Sequence, residues 1–202
     1  DLNWEFAALD AAGVSVSSPH GIGTDFAQSG QNGPSIFPST SLAARLAVIP
    51  ADGWTVRAAV LDGVPGDPAH PARTTVRLGY GDGALLVGEV EAPLDGGKLL
   101  LGHWRYTADF DRNDGNGAGG GNAGTYIRAE LPLVERSGCK VDGFVRLGTA
   151  CGRYNMFDRF ASGGLKFSGG VPGREQDEFG IALAAAFTSD SYRQGTGAAP
   201  ME

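Results

Sequence analysis

The sequence predicts an all-β fold: antiparallel strands in up-and-down order, as in the β-barrels that cross a membrane. Three observations predict it. Glycine is abundant, with 33 of 202 residues, beside 11 prolines and only 2 methionines, a composition typical of turns and strands rather than long helices. Apolar and polar residues alternate in segment after segment. The connections between these segments alternate between short and long.

The alternation predicts nine strands, near residues 2-9, 42-48, 54-61, 84-92, 99-110, 126-134, 141-149, 161-168 and 178-188. One phase of each strand is apolar and carries no charge, while the opposite phase holds the charged side chains. We predict that Leu42, Trp54, Trp104 and Leu131 lie on a convex apolar face of the sheet. Arg45, Arg57, Arg105 and Arg128 are predicted on the concave face.

The connection lengths predict two unlike ends of the sheet. Linkers 49-53, 93-97, 135-140 and 169-177 are short, whereas 10-41, 62-83, 111-125 and 150-160 are long and rich in Gly, Pro, Asn and Asp. Outer-membrane barrels have short turns at one end and long loops at the other. The strand-like stretch Thr74 to Leu78 is assigned to a loop, because a spanning strand there would put 111-125 on the short-turn side.

Composition and charge exclude several classes of protein. The net charge is −7 and the pI about 4.9, with no Lys/Arg cluster of the kind that follows a phosphate backbone, so nucleic acid is not an expected partner. The longest apolar run, Ile181 to Phe187, is far too short for a transmembrane helix. Cys139 and Cys151 lie near opposite ends of one predicted strand, so no disulfide between them is expected.

A soluble β-sandwich also alternates apolar and polar residues, and a secreted, lectin-like carbohydrate-binding module is the alternative. The polar phase here is rich in Arg and interspersed with Gly and Ala, and the long segment 99-110 suits a tilted crossing of a bilayer. These features favour the barrel. Solubility without detergent would distinguish the two.

No sequence motif predicts catalysis, a cofactor or a metal site. Glu89 and Glu91 share one face of a strand, as glycosidase carboxylates could, but no partner geometry is visible and a polar lining is the simpler interpretation. The stretch from Asp109 to Gly115 resembles a calcium loop. Its sixth and twelfth positions hold Asp114 and Gly120 instead of the required Gly and acid, which favours a flexible loop.

The polar phase is the candidate lining of a pore. Counted across the predicted turns, Arg45 would lie opposite Arg57, a like-charged pair that suggests a role in a lumen, and Glu130 would lie opposite Arg146 as a brace. The predicted lining consists of Arg45, Arg57, Glu89, Glu91, His103, Arg105, Asp109, Arg128, Glu130 and Arg146. Acidic and basic groups are mixed along it, which suits neutral polar solutes.

Several stretches resemble the carbohydrate-selective porins of the OprB type. They are His20 to Phe26, Gln31 to Thr40, Ala59 to Pro68, Asp82 to Leu86, Leu101 to Ala108 and Phe144 to Gly148. The likeness covers nearly the whole chain, and its Pro/Gly-rich loop strings are specific. Arg105, in the matched strand motif, and Asn32 to Pro38, in the matched loop, are the residues for which the resemblance implies contact with sugar.

The resemblance implies a diffusion pore for small saccharides such as glucose in a Gram-negative outer membrane, with lipid outside and neutral sugars inside. Barrels of that class close with about sixteen strands, and the chain starts at Asp1 without a leader, which means that a signal was removed or that upstream sequence is missing. We therefore expect residues 1-202 to be one internal segment of a longer porin, an open curved sheet. The sugar and the oligomeric state stay open.

Overall fold

Eight long antiparallel strands form one sheet in the computed structural model, which describes residues 1–70, 76–136, 138–170 and 173–197. The long strands are β1 (Ala43–Val48), β2 (Thr55–Asp62), β3 (Ala84–Leu94), β4 (Gly97–Tyr106), β7 (Ala123–Arg136), β8 (Cys139–Ala150), β9 (Phe157–Gly169) and β10 (Glu178–Thr188). A small hairpin, β5 (Phe110–Asp111) and β6 (Ala118–Gly119), stands between β4 and β7. The sheet order is β1-β2-β3-β4-β7-β8-β9-β10, so neighbours in sequence are neighbours in space.

The sheet is open, because β1 and β10 do not pair with each other in the described part of the chain. This confirms the predicted antiparallel, up-and-down sheet and its incompleteness. An open edge leaves a row of unpaired N–H and C=O groups, which hydrocarbon cannot satisfy. No helix among the described residues has the length and apolar character to cross a bilayer.

The predicted strand at 2-9 is wrong, while the other eight predicted strands are confirmed with small shifts of their ends. Residues Leu2–Glu5 form a short helix, α1, which Asp1 caps by accepting a hydrogen bond from the Asn3 N–H at 2.9 Å. Leu2, Phe6 and Leu9 are buried. Their spacing of four and three residues suits a helical turn packed against the sheet. The strand was predicted because Leu2 and Phe6 also fit an alternation with a period of two.

Residues 1–41 fold back over one face of the sheet, and we call them the N-terminal cover. After α1 they contain two 3-10 turns, Ala12–Val14 and Ser18–His20, and a second short helix, α2 (Thr24–Ala27). A third helix, α3 (Asp190–Thr196), follows β10. The face of the sheet under the cover is called the covered face, and the opposite one the bare face.

The core lies between the N-terminal cover and the covered face. The Phe26 ring stacks on the Trp104 ring, with centroids 4.9 Å apart and planes 4° from parallel. Offset stacking of this kind adds to the free energy of burying the two rings. The main buried cluster comprises Leu2, Phe6, Ala7, Ile22, Phe26, Ala59, Leu61, Leu85, Val87, Trp104, Tyr106 and Tyr126.

Two glycines of the covered face make room for these rings. A Cβ at Gly102 would lie 2.1 Å from the Tyr126 ring, and a Cβ at Gly124 would lie 2.4 Å from the Trp104 ring. Each ring lies over the backbone of the neighbouring strand, a close approach that only glycine permits.

The bare face is apolar, and its large side chains are exposed. They include Leu46, Val56, Val60, Leu86, Val90, Leu101, Ile127, Val145, Leu147, Ile181, Leu183 and Phe187, whose exposed fractions run from 38% to 81%. A soluble protein rarely leaves so large an apolar surface uncovered. Leu131 lies in the same phase, as predicted, and Leu42 and Trp54 are exposed just before β1 and β2.

The predicted faces of β4 are wrong. Trp104 and Tyr106 are buried on the covered face, whereas His103 and Arg105 are exposed on the bare face. Both phases of this strand carry apolar residues, since Leu99 and Leu101 alternate with Leu100 and Trp104. The larger aromatic side chains lie under the N-terminal cover, where they are fully removed from water.

The connections confirm most of the predicted asymmetry. Turns 49–54 and 95–96 are short, and 63–83 and 107–122 are long, but 151–156 has only six residues where a long loop was predicted. Within the stretch Thr74 to Leu78, residues 76–78 form no strand, and residues 74 and 75 lie outside the described part. Cys139 and Cys151 are free, at opposite ends of β8.

Candidate functional site

The charged residues of the covered face form a network around Arg57. The Arg57 guanidinium donates to Glu89 at 3.0 Å and to Glu91 at 2.8 Å. Arg57 stands opposite Glu89 across the β2–β3 pair, so adjacent strands hold the two charges side by side. One cation between two carboxylates lowers the repulsion between the acids.

Glu89 also binds the N-terminal cover to the wall. Its second oxygen accepts from the Tyr126 hydroxyl and from the Ala7 N–H, each at 2.6 Å. Ala7 has a φ of 55°, a conformation that residues other than glycine adopt rarely. The Glu89 side chain is fully buried, and these donors and Arg57 satisfy it.

A polar cavity of about 230 Å³ opens beside this network. Arg45 bounds it and pairs with Glu5 of the cover at 2.5 Å, and both side chains remain more than 40% exposed. The lining residues are Glu5, Ala8, Arg45, Arg57, Glu89, Glu91, Lys98 and Leu100. Three acids and three bases thus face the same space, and their formal charges cancel.

The two predicted cross-strand pairs are wrong. Arg45 stands opposite Ala59, and Glu130 stands opposite Phe144. The connection after β1 is longer than the five residues assumed. Arg136 stands opposite Cys139, so the turn after β7 is shorter than assumed, and a bulge between Pro132 and Val134 shifts the register of β7 against β8 by one more residue. The like-charged pair of this wall is instead Arg128 opposite Arg146.

Arg146 is neutralised by the N-terminal cover. Its Nη1 donates to the Asp25 carboxylate at 2.7 Å, and neither side chain has measurable exposure. The guanidinium also lies over the Phe160 ring, 4.9 Å from its centroid, and near Tyr126 at 5.5 Å. A Cβ at Gly23, where φ is +83°, would lie 1.9 Å from Arg146, so this approach of the cover requires glycine.

Arg128 is held by backbone rather than by a carboxylate. Its two terminal nitrogens donate to the Gly21 carbonyl at 2.8 Å and the His20 carbonyl at 2.9 Å. Glu130, on the same strand, accepts from the Ala11 N–H at 2.6 Å. The cover therefore supplies hydrogen-bond partners to three charged residues of β7 and β8, namely Arg128, Glu130 and Arg146.

The remaining predicted lining residues lie elsewhere. His103 and Arg105 are on the bare face, and Asp109 is exposed in the connection between β4 and β7. In the matched loop from Asn32 to Pro38, the Asn32 amide donates to the Pro65 carbonyl at 2.7 Å, while the Phe37 side chain is 78% exposed. The structure thus joins the cover to the long loop 63–83.

Asp25 and the carbonyls of His20 and Gly21 were missed by sequence reasoning. A signal was present, since Ile22 and Phe26 are four residues apart around Asp25 in a segment assigned to a loop. Apolar residues at that spacing indicate a helical turn with a buried side.

No group of three or more His, Cys, Asp or Glu side chains that could hold a metal ion occurs among the described residues. In the stretch considered as a calcium loop, Asp114 forms an ion pair with Arg112 at 2.7 Å. That bond and the Asn116 N–H hold the pKa of the Asp114 carboxyl well below its usual range.

An apolar, exposed bare face opposite a charged, covered face is the arrangement of an outer-membrane β-barrel wall. Residues 17–201 match the family model of the carbohydrate-selective porin, OprB family, and the chain belongs to that family. It is a family of β-barrel channels of the Gram-negative outer membrane.

Among solved structures, the high-pH structure of Pseudomonas putida OprB is similar, with a TM-score of 0.68 at 16% sequence identity. The match covers 80% of this chain but only 43% of that chain. At that identity the likeness concerns the fold alone. Comparison with curated protein sequences gives no match.

Replacing Asp25 with Asn should destabilise the full-length protein that carries this chain, because it leaves the Arg146 cation buried without a counter-charge. The expected loss is on the order of 3 kcal/mol, measured by urea unfolding in detergent. Asp52→Asn, in the exposed turn 49–54, is the matched control and should leave the unfolding midpoint unchanged. Equal midpoints for the two variants would contradict the role of the ion pair.

The cover should loosen at acidic pH through His20. Burial, and then the positive charge of Arg128, lower the pKa of the His20 imidazole below its ordinary 6.5. The folded state therefore favours the neutral ring. The contribution of His20 to the free energy of unfolding is fully present above about pH 6.5 and is lost as the pH falls through the lowered pKa, because the protein must then bury a charged imidazolium. Hydrogen exchange of residues 1–27, corrected for intrinsic rates, should show falling protection below that pH. His20→Phe should remove the dependence; if it persists, another group causes it.

Proposed function

We propose that the chain is one segment, residues 1-202, of an outer-membrane porin through which small neutral carbohydrates such as glucose diffuse. The covered face borders the lumen and the bare face borders lipid. In transmembrane barrels, strands alternate apolar side chains toward lipid with polar side chains toward the interior. The exposed aliphatic rows and the charged network on opposite sides of this sheet support that orientation.

The observation that carries the proposal is the cavity beside Arg57. Its three acids and three bases leave no net charge, so it offers hydrogen-bond donors and acceptors without attracting an ion of either sign. Sugar hydroxyls both donate and accept, which fits a mixed lining of guanidinium, ammonium and carboxylate groups. Solute passes by diffusion, and no chemical step is involved.

Seven of the predicted lining residues belong to this proposed lumen face: Arg45, Arg57, Glu89, Glu91, Arg128, Glu130 and Arg146. They differ in their access to a solute. Arg45, Arg57 and Glu91 keep exposed surface, whereas Glu89, Arg128 and Arg146 are buried. We propose the exposed residues for contact with sugar and the buried ones for holding the N-terminal cover against the wall.

The secreted lectin-like module is not supported. Its sandwich would bury Leu42 and Trp54 between two sheets, but both are exposed, and Trp104 packs against Phe26 of the cover rather than a second sheet.

The proposal predicts the selectivity of the pore. In liposomes that contain the full-length protein, glucose should enter faster than gluconate, an anion of similar size, because the lining charges cancel while a charged solute must shed more hydration. Swelling rates in isosmotic solutions of each solute measure the difference. Equal rates for the two solutes would count against selectivity for neutral sugars.

The exposed arginines should tune permeation. Replacing Arg45 and Arg57 together with Ala removes two long side chains from the cavity, and glucose flux should rise by about twofold or more. Glu89 keeps the Tyr126 and Ala7 donors, so the barrel should still fold, as heat-modified gel mobility can verify. Arg159→Ala, on the bare face, is the control. Unchanged glucose flux in a folded double variant would show that Arg45 and Arg57 are hydrated surface residues without an effect on permeation.

A further inference from the structure

A groove of about 760 Å³ crosses the bare face where β1 to β4 approach the long loops. Small residues form its floor and larger ones its sides: Ala44, Ala58 and Gly88, with Leu46, Val60 and Leu86. A Cβ at Gly88 would meet nothing within 4 Å. The space above the floor is therefore open and apolar, and it has the chemistry of an acyl chain site.

Two nitrogen-bearing side chains, His103 and Arg105, line this groove on its β4 side. His103 stands opposite Gly88, and Arg105 stands opposite Leu86, across the β3–β4 pair. His103 shares a hydrogen bond of 2.9 Å between its Nδ1 and the Thr125 hydroxyl, which leaves Nε2 directed away from that bond. Arg105 is exposed and forms no ion pair with any residue that the structure describes.

Nearby acids do not neutralise Arg105. Asp62 lies in the same phase at the loop end of β2, but it is 93% buried and accepts from the Val64 N–H at 3.3 Å. Arg159, the other bare-face arginine at this end of the sheet, pairs with Asp158 at 3.4 Å and lies 5.6 Å from the centroid of the Phe187 ring. Of these two bare-face arginines, Arg105 is thus the one without a carboxylate partner among the residues that the structure describes.

We propose that this groove binds an anionic lipid whose headgroup is an unsubstituted phosphate, with one acyl chain over Gly88 and the phosphate on Arg105 and His103. A guanidinium offers paired N–H donors that match phosphate oxygens, and the bond is charge-assisted at both ends. Both side chains lie near the end of β4 that leads into a long loop, which is the end where headgroups would meet water in the proposed orientation. The assignment rests on the proposed orientation of the bare face toward lipid.

Native mass spectrometry of the full-length protein in detergent tests the site, with dioleoyl phosphatidic acid and dioleoyl phosphatidylcholine as probes. The wild type should retain phosphatidic acid with a preference on the order of tenfold. Arg105→Gln combined with His103→Gln should abolish the preference. Gly88→Phe fills the groove and should reduce the binding of both lipids. Arg159→Gln is the matched control and should behave as wild type.

Several results would overturn the site. They are a preference that survives in the double variant, an equal loss in Arg159→Gln, and displacement of the lipid by inorganic phosphate at the same concentration. Protein dimers that disappear in Gly88→Phe would assign the groove to a second copy of the chain instead. Glucose flux is measured on the same variants. If the double variant loses the preference for phosphatidic acid but keeps glucose flux, the lipid site is supported. If the wild type shows no glucose flux, the proposed pore is rejected, and the lipid measurement still tests the site.

Discussion

Two arginines that face each other across β7 and β8 govern the organisation of this protein. Arg128 and Arg146 are opposite in register and both almost fully buried. Two buried like charges are tolerated only when each is matched by hydrogen bonds or a counter-charge. Asp25 and the carbonyls of His20 and Gly21 meet that need, and all three belong to the N-terminal cover. The wall and its cover therefore stabilise each other.

The same contacts decide which charges of the wall remain available. Where the cover reaches, guanidinium and carboxylate groups bind it, as Glu89 binds the Ala7 N–H. At the edge of the cover, Arg45 and Glu91 keep exposed surface around a small polar cavity, and Arg45 also pairs with Glu5 of the cover. The same charged face thus holds the cover and, in the proposed function, lines the pore. The most buried of its charged residues hold the cover, and the exposed ones border the cavity.

The bare face follows a different constraint. Its aliphatic rows need no partner in a bilayer, and three of its exceptions, His103, Arg105 and Arg159, stand toward the long loops. A charge at that depth can reach a headgroup or water, whereas one nearer the middle of the sheet would be expensive to bury. In the proposed orientation, the bare face is thus apolar where it would meet hydrocarbon and carries charged residues where it would meet headgroups.

The sequence by itself determined the strand-and-turn pattern, because side chains of a strand alternate with a period of two and each face meets one kind of environment. Leu46, Val56 and Ile181 on the bare face, and Arg57 and Glu91 on the covered face, were assigned from that rule alone, and the porin family could be named from its loop strings.

Only the tertiary structure decided the role of residues 1–41 and the faces of β4. Once the cover folds back, part of the covered face becomes a dry core, so Trp104 lies under the cover and Arg105 on the bare face. Register was decided in the same way. A bulge after Pro132 contributes to placing Arg128, and not Glu130, opposite Arg146, and a longer turn after β1 places Ala59, and not Arg57, opposite Arg45. Local periodicity carries no information about a bulge or a turn length.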